Sequence, residues 1–207
     1  MKLYTTDYAP NPRRVRWIMA EKGSTDIALE EVDLMTLQHK AHPRLQASGM
    51  TSLPLLELDD GTLIAETVAI GRYLESLYPE PNLFGRDPLE TAQIEMWSRR
   101  IEQNLANPLM HATRMTHPLL AVLEAPNPAA ADYMMAIVKA FLPVLDRQLE
   151  GRDFIVADRL TIADIIAFCG IDFARIIRYR PDRDHANIGR WIKAMRDRPA
   201  ANEAPRR

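Results

Sequence analysis

Cysteine is nearly absent: Cys169 is the only one in 207 residues, which excludes an internal disulfide framework and fits a reducing compartment. An excess of charge of one sign is also missing. With a formal net charge of −2 and no acidic or basic run, the composition gives no reason to expect nucleic acid as a partner. The one local excess is Arg13, Arg14 and Arg16. No apolar segment approaches the roughly 20 residues of a membrane span, so no membrane partner is expected. Met1-Lys2-Leu3-Tyr4-Thr5 reads as a strand, not an export signal, which makes a cytoplasmic protein the expectation. His39 and His42 lie three apart without a third ligand, which argues against zinc. Internal repeats and low-complexity segments are missing as well. What remains is an ordinary globular composition, 47% apolar, long enough for one domain or two small ones.

The stretch from Ser52 to Tyr78 carries the strongest local signal. Pro54, Leu56 and Leu58 alternate with Leu55, Glu57 and Asp59, the period of a half-buried strand. Asp60-Gly61 supplies a hairpin turn and Leu63 to Ala65 the return strand. Ile70, Tyr73, Leu74 and Leu77 then change the period to that of a helix. Glu66-Thr67 stands at the strand-to-helix corner, where unpaired N–H groups and the helix dipole favour a carboxylate while the Glu66 side chain can hold an ammonium group. Upstream, Thr6 to Asn11 is a polar loop, Asn11-Pro12 reads as an N-cap followed by an N1 proline, and Gly23 stops the helix. Ile27 to Val32 fits a second strand and Gln38 to Ala47 a short helix or loop. The first eighty residues are therefore β-α-β-α-β-β-α around one small sheet.

Pro79-Glu80-Pro81-Asn82 breaks this pattern, and helix follows to the end. Asp87-Pro88-Leu89-Glu90 supplies an N-cap, an N1 proline and an acid at N3. Ile94, Trp97, Ile101 and Leu105 form the stripe of a long helix that Asn107-Pro108 is expected to kink or interrupt. Ala131 to Leu149 is a further helix with Pro143 as a kink or boundary. In Leu160-Thr161-Ile162-Ala163-Asp164, Thr161 caps a helix, Asp164 reaches back to the cap, and Leu160 with Ile165 forms a hydrophobic staple. That helix is apolar nearly all round, so it belongs at the centre of a bundle and Cys169 within it reads as an inert buried thiol. A last helix spans Ile188 to Arg196, and 199–207 are expected to fray.

Leu53-Pro54 before a hairpin, Glu66-Thr67 at a helix start and the Leu160–Asp164 motif in a helical half together resemble the glutathione transferase superfamily, from Met1 to Trp191. The resemblance implies a thioredoxin-like N-terminal domain over 1–80, a linker over 81–87, an all-helical C-terminal domain over 88–207, and a homodimer. It implies glutathione as a substrate, no metal, and a hydrophobic electrophile as the second substrate, in a detoxification role. Leu53 would pair its backbone with the cysteinyl part of glutathione, Pro54 would be the family's cis-proline, and Glu66 and Thr67 would hold the γ-glutamyl end. Gln38-His39-Lys40 resembles the theta-class run, so His39 and Lys40 would reach the glycine carboxylate. The first loop resembles the bacterial nu class, with Ala9 where many relatives have serine or threonine and Asn11 retained.

Lowering a thiol pKa from near 8.5 by roughly two units asks for about 2.7 kcal/mol of preferential thiolate stabilisation. Asn11 can donate to sulfur through its amide nitrogen but cannot act as a base, which makes it the expected catalytic residue, with Tyr8 and Thr5 as fallback donors. The leading expectation is a glutathione transferase, with disulfide or peroxide reduction as a further activity. The competing one is a non-catalytic transferase-like binding or interaction protein, which Ala9 favours. Asn11 as a plain helix cap and His39 and Lys40 as surface residues are the bland alternatives. His111, Arg114 and His117 fit either a substrate pocket or an ordinary surface, and Trp97, Arg99 and Arg100 either charge pairing or a dimer cleft.

Overall fold

Four short strands carry the N-terminal half. The computed structural model describes residues 1–202, and the chain divides into two units, one built on Met1–Pro81 and one on Asn82–Ala201. The first runs β1 (Lys2–Thr5), α1 (Pro10–Lys22), β2 (Ala28–Glu31), α2 (Gln38–Ala41), α3 (Pro43–Ala47), β3 (Leu55–Glu57), β4 (Leu63–Ala65) and α4 (Thr67–Leu77). The sheet order is β2-β1-β3-β4. β1 is parallel to β2, with Thr5 opposite Glu31, and antiparallel to β3, with Tyr4 opposite Leu55. β3 is antiparallel to β4, with Leu55 opposite Ala65. This is the thioredoxin-like arrangement expected.

Local chemistry explains most of these boundaries. Gly23 ends α1 in the left-handed conformation at φ 62°, where a side chain would be strained. In the hairpin, Gly61 N donates to Leu58 O at 3.0 Å, so Asp59 and Asp60 are the central turn residues and Gly61, at φ 86°, closes the turn. The alternation expected for β3 fails at Leu55. Leu55 and Leu56 are both buried, because β3 is an inner strand covered on both faces. Leu55 packs with Tyr4, Val32, Leu45 and Leu53.

The second unit holds α5 (Pro88–Ile101), α6 (Asn107–Thr116), α7 (Pro128–Gln148), α8 (Ile162–Phe173), α9 (Ala186–Arg196) and α10 (Pro199–Asn202). The last of these occupies part of the segment expected to fray, while 203–207 lie outside the described residues. Pro108 does not interrupt the long helix. Glu102–Ala106 forms one π-helical turn whose flanking residues all stay helical, so α5 runs into α6. The wider turn accommodates a proline that has no N–H for the ladder. Gly170 of α8 sits against it: a Cβ there would lie 2.8 Å from Ala106 Cα. Pro143 likewise falls inside the continuous α7. At 21 residues α7 has the length and apolar content of a membrane span, contrary to expectation. Its buried stripe of Ala131, Val138, Phe141, Leu142 and Leu145 is that of a bundle helix packed on α6.

Asp164 is the polar centre of this unit. Its fully buried carboxylate accepts from Ile155 N at 2.9 Å, Thr161 N at 3.0 Å, Thr161 Oγ1 at 3.0 Å and Trp191 Nε1 at 3.0 Å. The cap residue, the preceding loop and α9 all converge on it. Burial pushes its pKa up, against the pull of these donors. Asp164→Ala strands two backbone N–H groups and an indole N–H, so denaturant unfolding should show a loss of about 3–5 kcal/mol. An alanine variant of unchanged stability would contradict this structural role.

A second polar knot ties the start of the unit to the loop before α8. Arg159 Nη1 and Nη2 meet Glu90 Oε1 and Oε2 at 2.7 and 2.8 Å, and Arg159 Nε donates to Asn82 O at 3.0 Å. Glu90 also accepts from Arg86 N at 2.7 Å, while its own N–H donates to the Asp87 cap at 2.9 Å. The Arg159 guanidinium, then the Arg86 amide, hold the Glu90 carboxyl down from 4.5 to about 2. A carboxyl whose folded-state pKa is depressed stabilises above its ordinary value and loses that contribution as pH falls. The Glu90 contribution should be complete above about pH 4.5 and vanish through about pH 2. Acid unfolding curves of the wild type and Glu90→Gln should converge over that interval.

Candidate functional site

The sheet register brings four segments to one end. The C-terminal ends of β1 and β2 lie side by side at Thr5 and Glu31, the antiparallel β3 begins there, and β4 ends there. Leu53-Pro54 therefore immediately precedes, and Glu66-Thr67 immediately follows, the Leu55–Ala65 pair that closes the ladder. The first loop, 6–9, leaves from the same edge. Of the residues singled out in the sequence, Leu53, Pro54, Glu66 and Thr67 are thus neighbours by construction.

The Leu53–Pro54 peptide is cis, as the resemblance implied. The Leu53 side chain is anchored in the cluster of Tyr4, Val32, Leu45 and Leu55, which fixes its backbone at the mouth of β3. Glu57 of β3 accepts from the Tyr4 hydroxyl and pairs with Arg44, tying α3 to the same strand.

Glu66 is the N-cap of α4 and adopts φ 70°, ψ 126°, outside the usual regions for a residue with a Cβ. Its side chain makes no capping hydrogen bond and the residue is exposed, whereas Thr67 is buried. The first helical bond is Ile70 N to Glu66 O at 2.9 Å, so the N–H groups of Thr67, Val68 and Ala69 have no carbonyl within the helix. An exposed carboxylate thus stands on strained backbone beside a helix N-terminus rich in donors. Such strain persists only where surroundings enforce it.

The start of α1 differs from expectation. Asn11 is not the cap: Ala9 is, with extended backbone at φ −110° and ψ 143°. Pro10 at N1 holds Ala9 extended and begins the helix two residues early. Asn11 stands at N2 and Pro12 at N3, so of the first three helical residues only Asn11 has an N–H. The Asn11 side-chain oxygen is buried and accepts no hydrogen bond among the described residues. The hydroxyls of Thr5 and Thr6 are buried beside the same loop, also without partners among the described residues. The loop itself is pinned by an ion pair between Arg16 and Asp7, which gives one of the three early arginines a structural role. Tyr8 is 62% exposed. Sequence reasoning passed over Thr6; its place next to Thr5 at a strand end was a signal, but alternation would have turned one of the pair outward.

His39 and Lys40 diverge. His39 is buried and Lys40 exposed on the four-residue α2, so the two do not present a common face. His42 instead bonds Glu30 at 3.1 Å. Among the described residues no three His, Cys, Asp or Glu side chains group as metal ligands. In the helical unit, His111 Nδ1 lies 3.4 Å from Glu124 Oε1. Burial lowers the neighbouring Arg114 pKa, against the opposing Glu124 charge.

Family models match both halves: the glutathione S-transferase N-terminal domain over residues 3–82 and the C-terminal domain over residues 110–199. Glutathione S-transferase 2 of Saccharomyces cerevisiae is 31% identical, over 98% of this chain and 88% of its own length. The crystal structure of Gtt2 from that yeast superposes with a TM-score of 0.90, covering 99% of this chain and 100% of that one. A glutathione S-transferase domain-containing protein of Marinobacter aquaeolei superposes at 0.89 with 33% identity, covering 98% and 100%. Elongation factor 1-gamma 2 of Oryza sativa is also similar, at 26% identity over 88% of this chain but 43% of its own length.

The strain at Glu66 yields a direct test. Relieving it returns about 1–3 kcal/mol, and the glycine entropy cost takes back about 0.5–1. Glu66→Gly should therefore raise unfolding stability by about 1 kcal/mol in chemical denaturation; a destabilised variant would mean that the conformation is unstrained. With the cis Leu53–Pro54 corner, the Glu66-Thr67 helix start and a relative matched along nearly its whole length in agreement, this chain belongs to the glutathione S-transferase family.

Proposed function

We propose that the protein is a glutathione transferase that presents the glutathione thiolate, at the first loop, to an electrophilic small molecule. The observation that carries this reading is Glu66: an exposed carboxylate on strained backbone, without an ion-pair partner among the described residues, one residue from three N–H groups that have no carbonyl within the helix. Glutathione offers the matching pair, an α-ammonium for Glu66 and an α-carboxylate for the helix N-terminus and Thr67. Leu53, whose side chain is anchored and whose backbone opens β3, pairs with the cysteinyl unit in strand fashion. Lys40, the exposed cation of α2, serves the glycine carboxylate; His39 is buried and does not share that face. Asn11 donates to sulfur through its side-chain amide or its backbone N–H.

Isothermal titration with glutathione tests the reading. The wild type should bind in the millimolar range or tighter, and Glu66→Ala should lose about tenfold or more, the cost of one charge-assisted hydrogen bond. Absence of millimolar binding would sink the proposal. Asn11→Ala should raise the pKa of the bound thiol by about one unit, read from thiolate ultraviolet absorbance against pH, because the helix dipole and the backbone N–H remain. An unchanged thiol pKa would move the donor role to Thr5, Thr6 or the backbone.

A second reading is supported by the elongation factor 1-gamma similarity together with Ala9: a binding protein on the same fold. It is favoured if glutathione binds but neither conjugation nor disulfide or peroxide reduction is measurable. A cytoplasmic homodimer acting in detoxification completes the proposed picture, and a monomer at micromolar concentration would remove the dimer from it.

A further inference from the structure

Lys40 stands on a slight scaffold. α2 is a single turn, and one helical turn does not hold itself in water, so its ends must be fixed from outside. Leu37 enters it in the left-handed conformation at φ 61°, and His42 leaves it extended at φ −72° and ψ 121°. Two backbone bonds brace the turn, from Gln38 N to Asp33 O at 3.1 Å and from Lys40 N to Leu37 O at 3.0 Å. At its start, Gln38 lines a cleft of about 510 Å³ together with Thr6 and Tyr8, which puts α2 beside the first loop.

The far end is held by His42. Its Nε2 lies 3.1 Å from Glu30 Oε1, and an ionised carboxylate only accepts, so that ring nitrogen carries a proton and donates. Glu30 is kept ionised: Lys2 bonds its other oxygen at 2.9 Å, and that bond, ahead of the one from His42, holds the carboxyl below its ordinary range. The imidazole also meets the Tyr4 ring edge-on, with centroids 5.0 Å apart. Tyr4 in turn donates its hydroxyl to Glu57, which pairs with Arg44 of α3. His42 is thus fixed on two strands at once, β2 through Glu30 and β1 through Tyr4. It is both the residue that ends α2 and the N-cap of α3, so the joint between the two helices is tied to the sheet. Gln46 of α3 completes the brace by donating to Lys40 O at 3.0 Å.

We propose that His42 is a positioning residue for the glycine end of glutathione: through its bond to Glu30 it sets the place of α2 and so of Lys40, which makes the protein favour the full tripeptide over γ-glutamylcysteine. The proposal rests on the reading that glutathione is bound with its glycine carboxylate at Lys40. His42 acts from two residues away, by limiting where the Lys40 backbone can go before the ligand arrives, which lowers the ordering cost of binding. The His42 and Glu30 side chains are 20% and 38% exposed, and one hydrogen bond to a partly solvated carboxylate supports an effect of about fivefold.

Isothermal titration of the full chain with glutathione and, separately, with γ-glutamylcysteine is the test. His42→Ala should weaken glutathione about fivefold and leave γ-glutamylcysteine unchanged, because the contacts proposed for the shared part of the two ligands lie on α4 and at the mouth of β3. His42→Gln, which keeps an N–H donor, should regain most of the loss. Glu30→Gln should reproduce it and add little to His42→Ala in the double variant. In a Lys40→Ala background, His42→Ala should no longer change the ratio of the two affinities. An equal loss for both ligands in His42→Ala, or no loss for either, overturns the proposal; Glu30→Gln carries the same comparison if His42→Ala fails to fold. A wild type that binds neither ligand would refute the glutathione reading itself, whereas one that binds both, with a ratio insensitive to His42 and Glu30, would refute the positioning role alone.

Discussion

One buried ammonium group sets the geometry of the N-terminal unit. Lys22, in the last turn of α1, donates to Tyr78 O at 2.7 Å and Pro81 O at 3.0 Å and pairs with Glu75 at 2.6 Å. Those carbonyls follow the end of α4, where unpaired oxygens and the negative end of the dipole call for a cation. With its side chain wholly buried, Lys22 cannot fall back on water, so α1 and α4 are tied at their C-termini. At the other end of α4, eleven residues away, Glu66 joins the helix to β4 and takes a positive φ.

The sheet does the rest by register. Once Leu55 pairs with both Tyr4 and Ala65, the first loop, the Leu53–Pro54 corner and the Glu66–Thr67 helix start must share one end. Parallel pairing of β1 with β2 adds Glu31 and Asp33 to that end. Charge is then graded across it, with free helix N–H groups on the β4 side and carboxylates on the β2 side.

Periodicity and capping carried the architecture. The Thr161–Asp164 box and the Asp87-Pro88 start are local hydrogen-bond chemistry, so they were legible residue by residue. Glu66-Thr67 and Leu53-Pro54 were legible as motifs. What escaped depends on neighbours. Leu55 broke its alternation because β3 lies inside the sheet. Asn11 lost its cap role because Pro10, two residues after an exposed Tyr8, could start the helix first. His39 and Lys40 parted because a four-residue helix turns successive side chains by about 100°. The Glu66 backbone angle and the missing partner of Thr6 exist only in three dimensions.

The start of α1 decides how much chemistry the first loop can support. Two prolines remove N–H groups where a thiolate would otherwise find several, and Ala9 brings no hydroxyl. Against the roughly 2.7 kcal/mol needed for a two-unit pKa shift, a helix dipole supplies about 0.3–1 kcal/mol, up to about 2 when partly buried. One hydrogen bond to a charged group supplies about 1.5–3. The dipole alone falls short, but the dipole with one good donor suffices. Asn11 keeps the sole N–H among the first three helical residues and adds a side-chain amide beside it, so it is the point at which a poor helix N-terminus becomes adequate. The prolines that impoverish this terminus also stiffen it. A rigid site with a single donor stabilises sulfur at less entropic cost than a mobile one with several, and on that balance a first loop with alanine at position 9 remains compatible with thiolate chemistry.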